Sequence, residues 1–455
     1  MAIIRSISGL RATTDELTKE LVQSYAAAFA TYVPTGPIVI GRDGRPSGSW
    51  MEEVIIETLL KHGHDVISLG IAPTPTVQLE TEHSLAVGGI SITASHNPSE
   101  WNGMKFLHAG GVFLNGVENR EFWSILDGAS HQNDSGTVGI LTCLENVEQR
   151  HISHVFQSLH QLGIDSSEHV LTAVVDAVNA SGSTYVPALL QAMNCNGISL
   201  FCDQTGVFPH TPEPISENLG DLMNAVKHNK ADVGIAVDPD ADRLVLIDEL
   251  GNPIGEEKTI ALCVKAIIEI ASPKIVHGDL AVNLSTSLMS EIIARNAGWN
   301  VHRTPVGEIN VVEAMKTNAC IIGGEGSGGV ILPSCHYGRD SLVGIALILS
   351  LMKHTQKPLS VLSAELPSTT MIKGKMQWTG SAQEVFQSIE QYYQSSCHEI
   401  RHDDGLWLRF SEGWIHVRTS NTEPILRFIV EHTSKSEAEQ QVGILTELLK
   451  SKLAQ

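Results

Sequence analysis

The sequence is short of basic residues. Against 51 aspartates and glutamates it sets only 30 lysines and arginines, a formal charge of −21. That deficit argues against nucleic acid or an anionic membrane as the main partner, since both demand a cationic face. An anionic ligand would need basic side chains gathered locally. Paired cysteine motifs are missing as well: Cys143, Cys195, Cys202, Cys263, Cys320, Cys335 and Cys397 are scattered, odd in number and contain no C-x-x-C. This reads as a reduced, intracellular protein without a zinc motif. Long apolar runs are also lacking. A stretch such as "GIALILSLM" (344–352) is too short to span a bilayer. The first residues show no basic segment leading into an apolar core, so no signal peptide is expected. These absences point to a cytoplasmic protein.

A chain of 455 residues exceeds one ordinary core, and 42% hydrophobic with 18% charged residues is a globular balance. Short apolar runs alternate with amphipathic patterns: "PIVIG" (37–41), "SWMEEVIIETLLKHG" (49–63), "HDVISLG" (64–70) and "GGISIT" (88–93). The pattern restarts at "VLTAVVDA" (170–177) and again after "EEKTIALCVKAIIEI" (256–270). Apolar strands separated by helices imply βαβ units. The fold class expected is α/β: three successive similar αβ domains with mixed sheets, then a smaller C-terminal α+β domain around a central cleft. From about residue 366 the strands read as consecutive, with one last helix over 434–454. The expected boundaries are 1–150, 151–254, 255–365 and 366–455.

Four loops carry chemistry. In "TASHNP" (93–98) a strand ends on Ser95 and His96, with Lys105 ten residues beyond the serine. As a bare turn this needs no explanation; as a site it displays a nucleophile. The G-x-S-x-G elbow of esterases is absent, and the nearby cations suit an anion on the serine. In "VGIAVDPDADRLVLID" (233–248), Asp238, Asp240 and Asp242 alternate between apolar strands. Three carboxylates so close repel one another unless a hard cation such as Mg²⁺ or Ca²⁺ intervenes. An EF-hand fails, because Arg243 stands at the sixth position and strands flank the loop. "GGEGSGGVILP" (323–333) satisfies G-x-G-x-x-G, but no helix follows, so dinucleotide binding is rejected. It holds Glu325 and Ser327, suited to reading hydroxyls. "VRTSNTEPILR" (417–427) gathers Arg418, Ser420, Asn421, Thr422 and Arg427, a set that can grip phosphate. Each loop has an ordinary turn as its alternative. Together, in four segments, they describe phosphoryl transfer on a small phosphorylated polyol.

In order and wording these loops resemble the α-D-phosphohexomutase family, which includes phosphoglucomutase, phosphomannomutase and phosphoglucosamine mutase. "TASHNP" with Lys105, "DPDADR" (238–243), "GEGSGG" (324–329) and "RTSNTEPILR" (418–427) match its phosphoserine, metal, sugar and phosphate loops. "GRDGRPSG" (41–48) and "APTPT" (72–76) are secondary matches. The resemblance implies a phosphorylated Ser95, and one Mg²⁺ ligated by Asp238, Asp240, Asp242 and the Ser95 phosphate. It implies Arg11, His96 and Lys105 around the transferring phosphoryl group. Arg243, Glu325 and Ser327 would read the sugar, and Arg418, Ser420, Asn421, Thr422 and Arg427 would hold the non-reacting phosphate.

The implied activity is interconversion of hexose 6-phosphate and hexose 1-phosphate through a 1,6-bisphosphate, with glucosamine phosphate the favoured substrate. Glucose and mannose phosphates are the alternative, and a non-catalytic sugar-phosphate binding protein a further one. The partner expected is a phosphorylated sugar, and the protein a monomer or homodimer. Some positions depart from the family wording: Ile7 and Ala12 replace Thr and Gly, Gly329 stands where many members carry His, and Glu308 lies where relatives vary.

Overall fold

The computed structural model describes residues 3–7, 9–128, 136–165, 167–272, 278–378, 380–419 and 425–453. Strands such as Gly88–Ile92 and Val233–Val237 are buried at every position, which is why they read as unbroken apolar runs. They lie inside sheets covered by the amphipathic helices between them.

The first sheet runs Ile4–Ser6, Gly9–Thr13, Trp101–His108, Gly88–Ile92, Ile38–Arg42, Val66–Ile71, Leu141–Cys143. Ile38–Arg42 is parallel to its neighbours Gly88–Ile92 and Val66–Ile71, whereas Trp101–His108 returns antiparallel beside Gly88–Ile92. The second sheet orders Asn196–Phe201, Thr172–Asp176, Val233–Val237, Leu244–Asp248, with only the last pair antiparallel. The third orders Asn300–Thr304, Asp279–Asn283, Ile322–Glu325, Gly329–Ile331, again with only the last pair antiparallel.

The three sheets therefore share one device: parallel strands whose last member turns back as an antiparallel hairpin. In each sheet the chemistry-bearing loop is the tip of that hairpin. The tips are 93–100, 238–243 and 326–328, and all lie past the carboxyl ends of parallel strands, where α/β folds place ligand sites. The weak internal repeat of the sequence is thus a repeat of topology.

The fourth sheet is wholly antiparallel, ordered Thr370–Gln377, Ile425–His432, Gly413–Thr419, Leu406–Arg409, Glu399–Arg401. Its strands are not all consecutive as expected, because the helix Ala382–Tyr393 follows the first of them. Val385, Ile389 and Tyr393, four residues apart, form its buried stripe. The last helix spans Lys435–Leu453.

One hydrophobic cluster runs from Val39 through Leu159 and Ile260 to Leu366, joining the first three units. The fourth has its own core around Leu406, Ile415 and Leu445. It docks on the third through a small apolar contact of Leu284 and Leu288 with Trp407 and Trp414. Among the described residues no helix is long and apolar enough to cross a membrane, and all seven cysteines are free.

Candidate active site

The hairpin register explains the spacing of Ser95 and Lys105. Ser91 pairs across the strands with Lys105, so the return strand brings the lysine back beside the loop that carries the serine. Ser95 is buried and adopts a left-handed backbone, φ 53°. A clamp offsets the cost of that conformation. The Ser95 N–H donates to Thr93 Oγ1 at 2.8 Å, and Thr93 donates to Asp43 Oδ2 at 2.6 Å. Arg45, fully buried, pairs with Asp43 at 2.9 Å and donates to the carbonyls of Ser95, Asn97 (2.8 Å) and Pro98 (3.0 Å). Arg11 reaches the same loop through Asn97 Oδ1 at 3.0 Å.

The aspartate hairpin meets it tip to tip. Ser95 Oγ donates to Asp238 Oδ2 at 3.1 Å and lies 3.3 Å from His96 Nδ1. Lys105 Nζ donates to Asp240 Oδ2 at 2.6 Å and to Asp242 Oδ2 at 3.3 Å. Thr74, from the "APTPT" segment, donates to Asp240 Oδ2 at 2.6 Å. Arg243 stands 3.9 Å from Asp242. Ala241, φ 51°, lets the tip turn tightly enough for the N–H groups of Asp242 and Arg243 to reach Asp238 Oδ1, both at 3.2 Å.

The electrostatics of this trio call for a cation. All three carboxylates are buried, and their ligand atoms lie within 4.8 Å of one another. Burial, then the charges of Asp242 and Asp240, push Asp238 well above the usual carboxylate range. Burial also opposes ionisation of Asp240 and Asp242, but Lys105 and Arg339 respectively hold them below it. Every Oδ2 of the trio has a donor, whereas Asp240 Oδ1 and Asp242 Oδ1 are buried without one among the described residues. Oxygen-only donors with two orphaned atoms fit a hard divalent ion. His96 is neutral here: burial, then the guanidiniums of Arg243 and Arg11, bring it down to about 2.

Arg339, which the sequence reading passed over, ties this centre to the third hairpin. Its guanidinium donates to Asp242 Oδ2 at 2.6 Å, Glu325 Oε2 at 2.7 Å and Glu308 Oε2 at 3.0 Å. Glu308 also accepts from Gln78 at 2.8 Å, and Glu325 from Asn283 at 2.7 Å. Gly329 makes room for this arginine, since a Cβ there would fall 2.3 Å from Arg339 Cδ. The departure at 329 therefore has a steric reason, and Glu308 has a partner. Arg11, Lys105, Glu308, Glu325 and Arg339 line a cavity of about 140 Å³ between the first and third hairpins. Ser327 sits in the turn between Glu325 and Gly329.

Arg418 and Arg427 pair across adjacent strands of the fourth sheet and line a separate cavity of about 550 Å³ with Ser285, Lys375 and His416. Arg418 donates to Asp404 Oδ1 at 2.7 Å. Ser420, Asn421 and Thr422 lie outside the described residues. A second set of ligand-type side chains, His151, Cys335, His336 and Asp340, is a hydrogen-bonded knot. Asp340 Oδ2 meets His151 at 2.8 Å and His336 at 3.2 Å, and His151 meets Thr76 at 2.9 Å. Its nitrogen and sulfur donors suit a hard ion poorly.

Sequence reasoning thus missed Asp43, Arg45, Thr74, Gln78, Asn283 and Arg339. The first three lie in segments it had matched without assigning them a task. Arg339 left no signal, because a charged residue beyond a loop reads as exposed.

Comparison with known proteins accounts for nearly the whole chain. Four domain models described as phosphoglucomutase/phosphomannomutase match it: alpha/beta/alpha domains I, II and III over residues 4–132, 149–251 and 256–370, and the C-terminal domain over 379–447. A probable phosphoglucosamine mutase of Methanopyrus kandleri is 33% identical, over 95% of this chain and 94% of its own. A phosphoglucomutase/phosphomannomutase of Thermococcus kodakarensis is 34% identical over 96% of both chains. A solved phosphoglucomutase/phosphomannomutase family protein of Burkholderia thailandensis superposes with TM-score 0.86 at 23% identity, covering 99% of this chain and 98% of that one. Converging hairpin tips and matches in all four domains lead to one conclusion: the chain belongs to the phosphoglucomutase/phosphomannomutase family, and is a phosphohexomutase, an isomerase that transfers phosphoryl groups intramolecularly.

Proposed function

We propose that the enzyme interconverts hexose 6-phosphate and hexose 1-phosphate through a phosphoserine at Ser95 and a sugar 1,6-bisphosphate, with glucosamine phosphate as its preferred substrate. The observation that carries this reading is Ser95 Oγ, 3.1 Å from Asp238 on a clamped left-handed residue at the meeting of the first two hairpin tips. Mg²⁺ held by Asp238, Asp240, Asp242 and the serine phosphate would offset the charge that accumulates as a phosphoryl group transfers.

The chain's own groups do the positioning. The phosphoryl group leaves Ser95 Oγ for a free sugar hydroxyl, whose proton passes in exchange to the freed Ser95 Oγ, and the bisphosphate turns over within the cleft. Its other phosphoryl group then passes to Ser95 Oγ, which restores the enzyme. Lys105 and Arg11 supply cationic donors beside the moving group, and His96 stands 3.3 Å from Ser95 Oγ as an uncharged neighbour. Arg243, Glu325 and Ser327 read the sugar. Arg418, Ser420, Asn421, Thr422 and Arg427 hold the phosphate that is not reacting in either orientation.

Likeness to a relative named phosphoglucosamine mutase supports the amino sugar. The Thermococcus relative favours glucose and mannose phosphates as the second reading. Two measurements test the proposal. Intact-mass spectrometry should show a phosphate adduct that Ser95→Ala removes together with turnover. Coupled assays should give glucosamine phosphate the highest kcat/KM. A fully active Ser95→Ala enzyme overturns the mechanism, and a higher value for glucose or mannose phosphate overturns the substrate.

A further inference from the structure

A third cavity, of about 420 Å³, opens where the third unit meets the far edge of the fourth sheet. Its walls come from the helix Leu288–Asn296 and strand Asn300–Thr304 on one side, and from Glu399–Arg401 and Leu406–Arg409 on the other. The cavity of Arg418 and Arg427 lies at the opposite end of that sheet, on Thr370–Gln377, Gly413–Thr419 and Ile425–His432.

In a protein of charge −21 this cavity is cationic. One buried carboxylate, Glu291, accepts from three guanidiniums: Arg303 at 2.8 Å, Arg295 at 3.0 Å and Arg409 at 3.1 Å. Arg401 adds a fourth, so four cations face Glu291, Glu399 and, behind Arg401, Asp403. The arginines hold Glu291 down at about 2 although burial opposes this. Two donors remain unspent. Arg303 Nη2 and Arg409 Nη1 are buried with no partner among the described residues, and the Arg303 side chain is only 7% exposed. Burial lowers the Arg409 pKa, and repulsion from Arg303 and Arg295 adds to this against Glu291. Neither atom itself opens on the cavity, and the Arg303 guanidinium also lies over the Trp407 and Trp414 rings at 5.8 and 5.9 Å. Both arginines line the cavity, so a turn of either guanidinium would bring its unspent N–H groups to an anion there.

We propose that this cavity is a second ligand site, taking a small phosphate monoanion or dianion that bridges Arg303 of the third unit to Arg409 of the fourth. The volume admits an organic body behind the phosphate, so free phosphate and a phosphorylated metabolite are both possible sources. Because its two donors sit on different units, the ligand holds the fourth unit against the third, and by linkage any change that parts the two units weakens it.

Calorimetric titration of the full-length protein with inorganic phosphate tests this. Wild type should show two sites, one in the sugar-phosphate cleft and one here. Arg409→Met should retain only the cleft site, and Arg418→Ala only this one. Arg295 is 57% exposed, so Arg295→Gln threatens folding little and should weaken the second site by at least about threefold. Titration with 3-phosphoglycerate in parallel identifies the source: tighter binding than phosphate marks a metabolite site, and weaker binding marks free phosphate. Equal stoichiometry in wild type and Arg409→Met, or loss of all binding in Arg418→Ala, overturns the proposal. A single wild-type site that Arg409→Met removes would contradict the cleft assignment and leave this one standing.

Discussion

Ser95 is held in its left-handed conformation by a side chain that never meets the substrate. Arg45 spreads one guanidinium over three carbonyls of residues 95–98 while paired to Asp43. A lysine keeps the charge but cannot fork. Arg45→Lys should therefore lower kcat about ten- to a hundredfold, the equivalent of one or two charged hydrogen bonds, with KM little changed. Steady-state kinetics at saturating substrate check this; a rise confined to KM would contradict it. Gly329 carries the second prediction at this scale. Alanine there would drive into Arg339 and disturb its three carboxylates, an overpacking cost of roughly 1–3 kcal/mol. Gly329→Ala should depress kcat/KM for the hexose phosphate by at least about tenfold, and Gly443→Ala, where a Cβ meets nothing, serves as the silent control.

At the scale of elements, the segment after strand Asn196–Phe201 is pinned to its sheet by His210. One ring nitrogen faces Asp176 Oδ2 at 2.9 Å and the other the Thr211 carbonyl at 2.8 Å, so with two acceptors the ring is best satisfied as imidazolium. Burial lowers its pKa, but Asp176 more than compensates and the result is raised above 6.5. A raised folded value means that stabilisation is fully present below pH 6.5 and is lost as pH climbs through the folded pKa. His210→Gln should cost about 2 kcal/mol at pH 6 and clearly less at pH 9. Urea midpoints at the two pH values measure the difference, and a cost independent of pH would refute the imidazolium.

Elements were also what the sequence showed best. Buried strands such as "VGIAV" and "GGISI" are short runs of mainly apolar and small residues bounded by turn residues, so period and punctuation agreed. Helix Ala382–Tyr393 carried its stripe in plain view between Val385 and Tyr393, but was overlooked among neighbouring strands. The three aspartates and Ser95 were legible because their loop wording is unusual. Arg339, Gln78 and Asn283 were not, since each acquires its partner only when segments more than ten residues apart fold together.

For the whole molecule, the uneven division of the core matters most. The first three units share one hydrophobic cluster, while the fourth meets the third through a few apolar side chains around Trp407 and Trp414, the buried Glu431, and polar contacts such as Arg409–Glu291, Lys373–Glu257 and Val306 N–Asp404. Glu431 accepts from Leu288 N at 2.8 Å, Trp414 Nε1 at 2.7 Å and Ser287 Oγ. A contact so largely polar permits relative motion of the two parts. Glu431→Ala strands those donors, at about 1–3 kcal/mol for each buried one. It should raise amide exchange in 287–291 and 413–419 and slow turnover, while the phosphate content of Ser95 stays unchanged. Unaltered exchange at both segments would show that the glutamate is not the latch.

The three matching hairpins bear on how such an enzyme can change. Each tip is rooted in its own sheet, so a new loop can be grafted at 326–328 without moving the strands beneath Ser95 or Asp238. On the proposal that the third tip reads the sugar, substrate preference and phosphoryl chemistry are thereby inherited as separable cassettes. A lineage can try new sugars at one tip while the other two continue to work. Arg339 sets the limit on that freedom: it touches two cassettes at once, so a graft at the third hairpin must arrive with a side chain at 329 that still leaves the arginine its place.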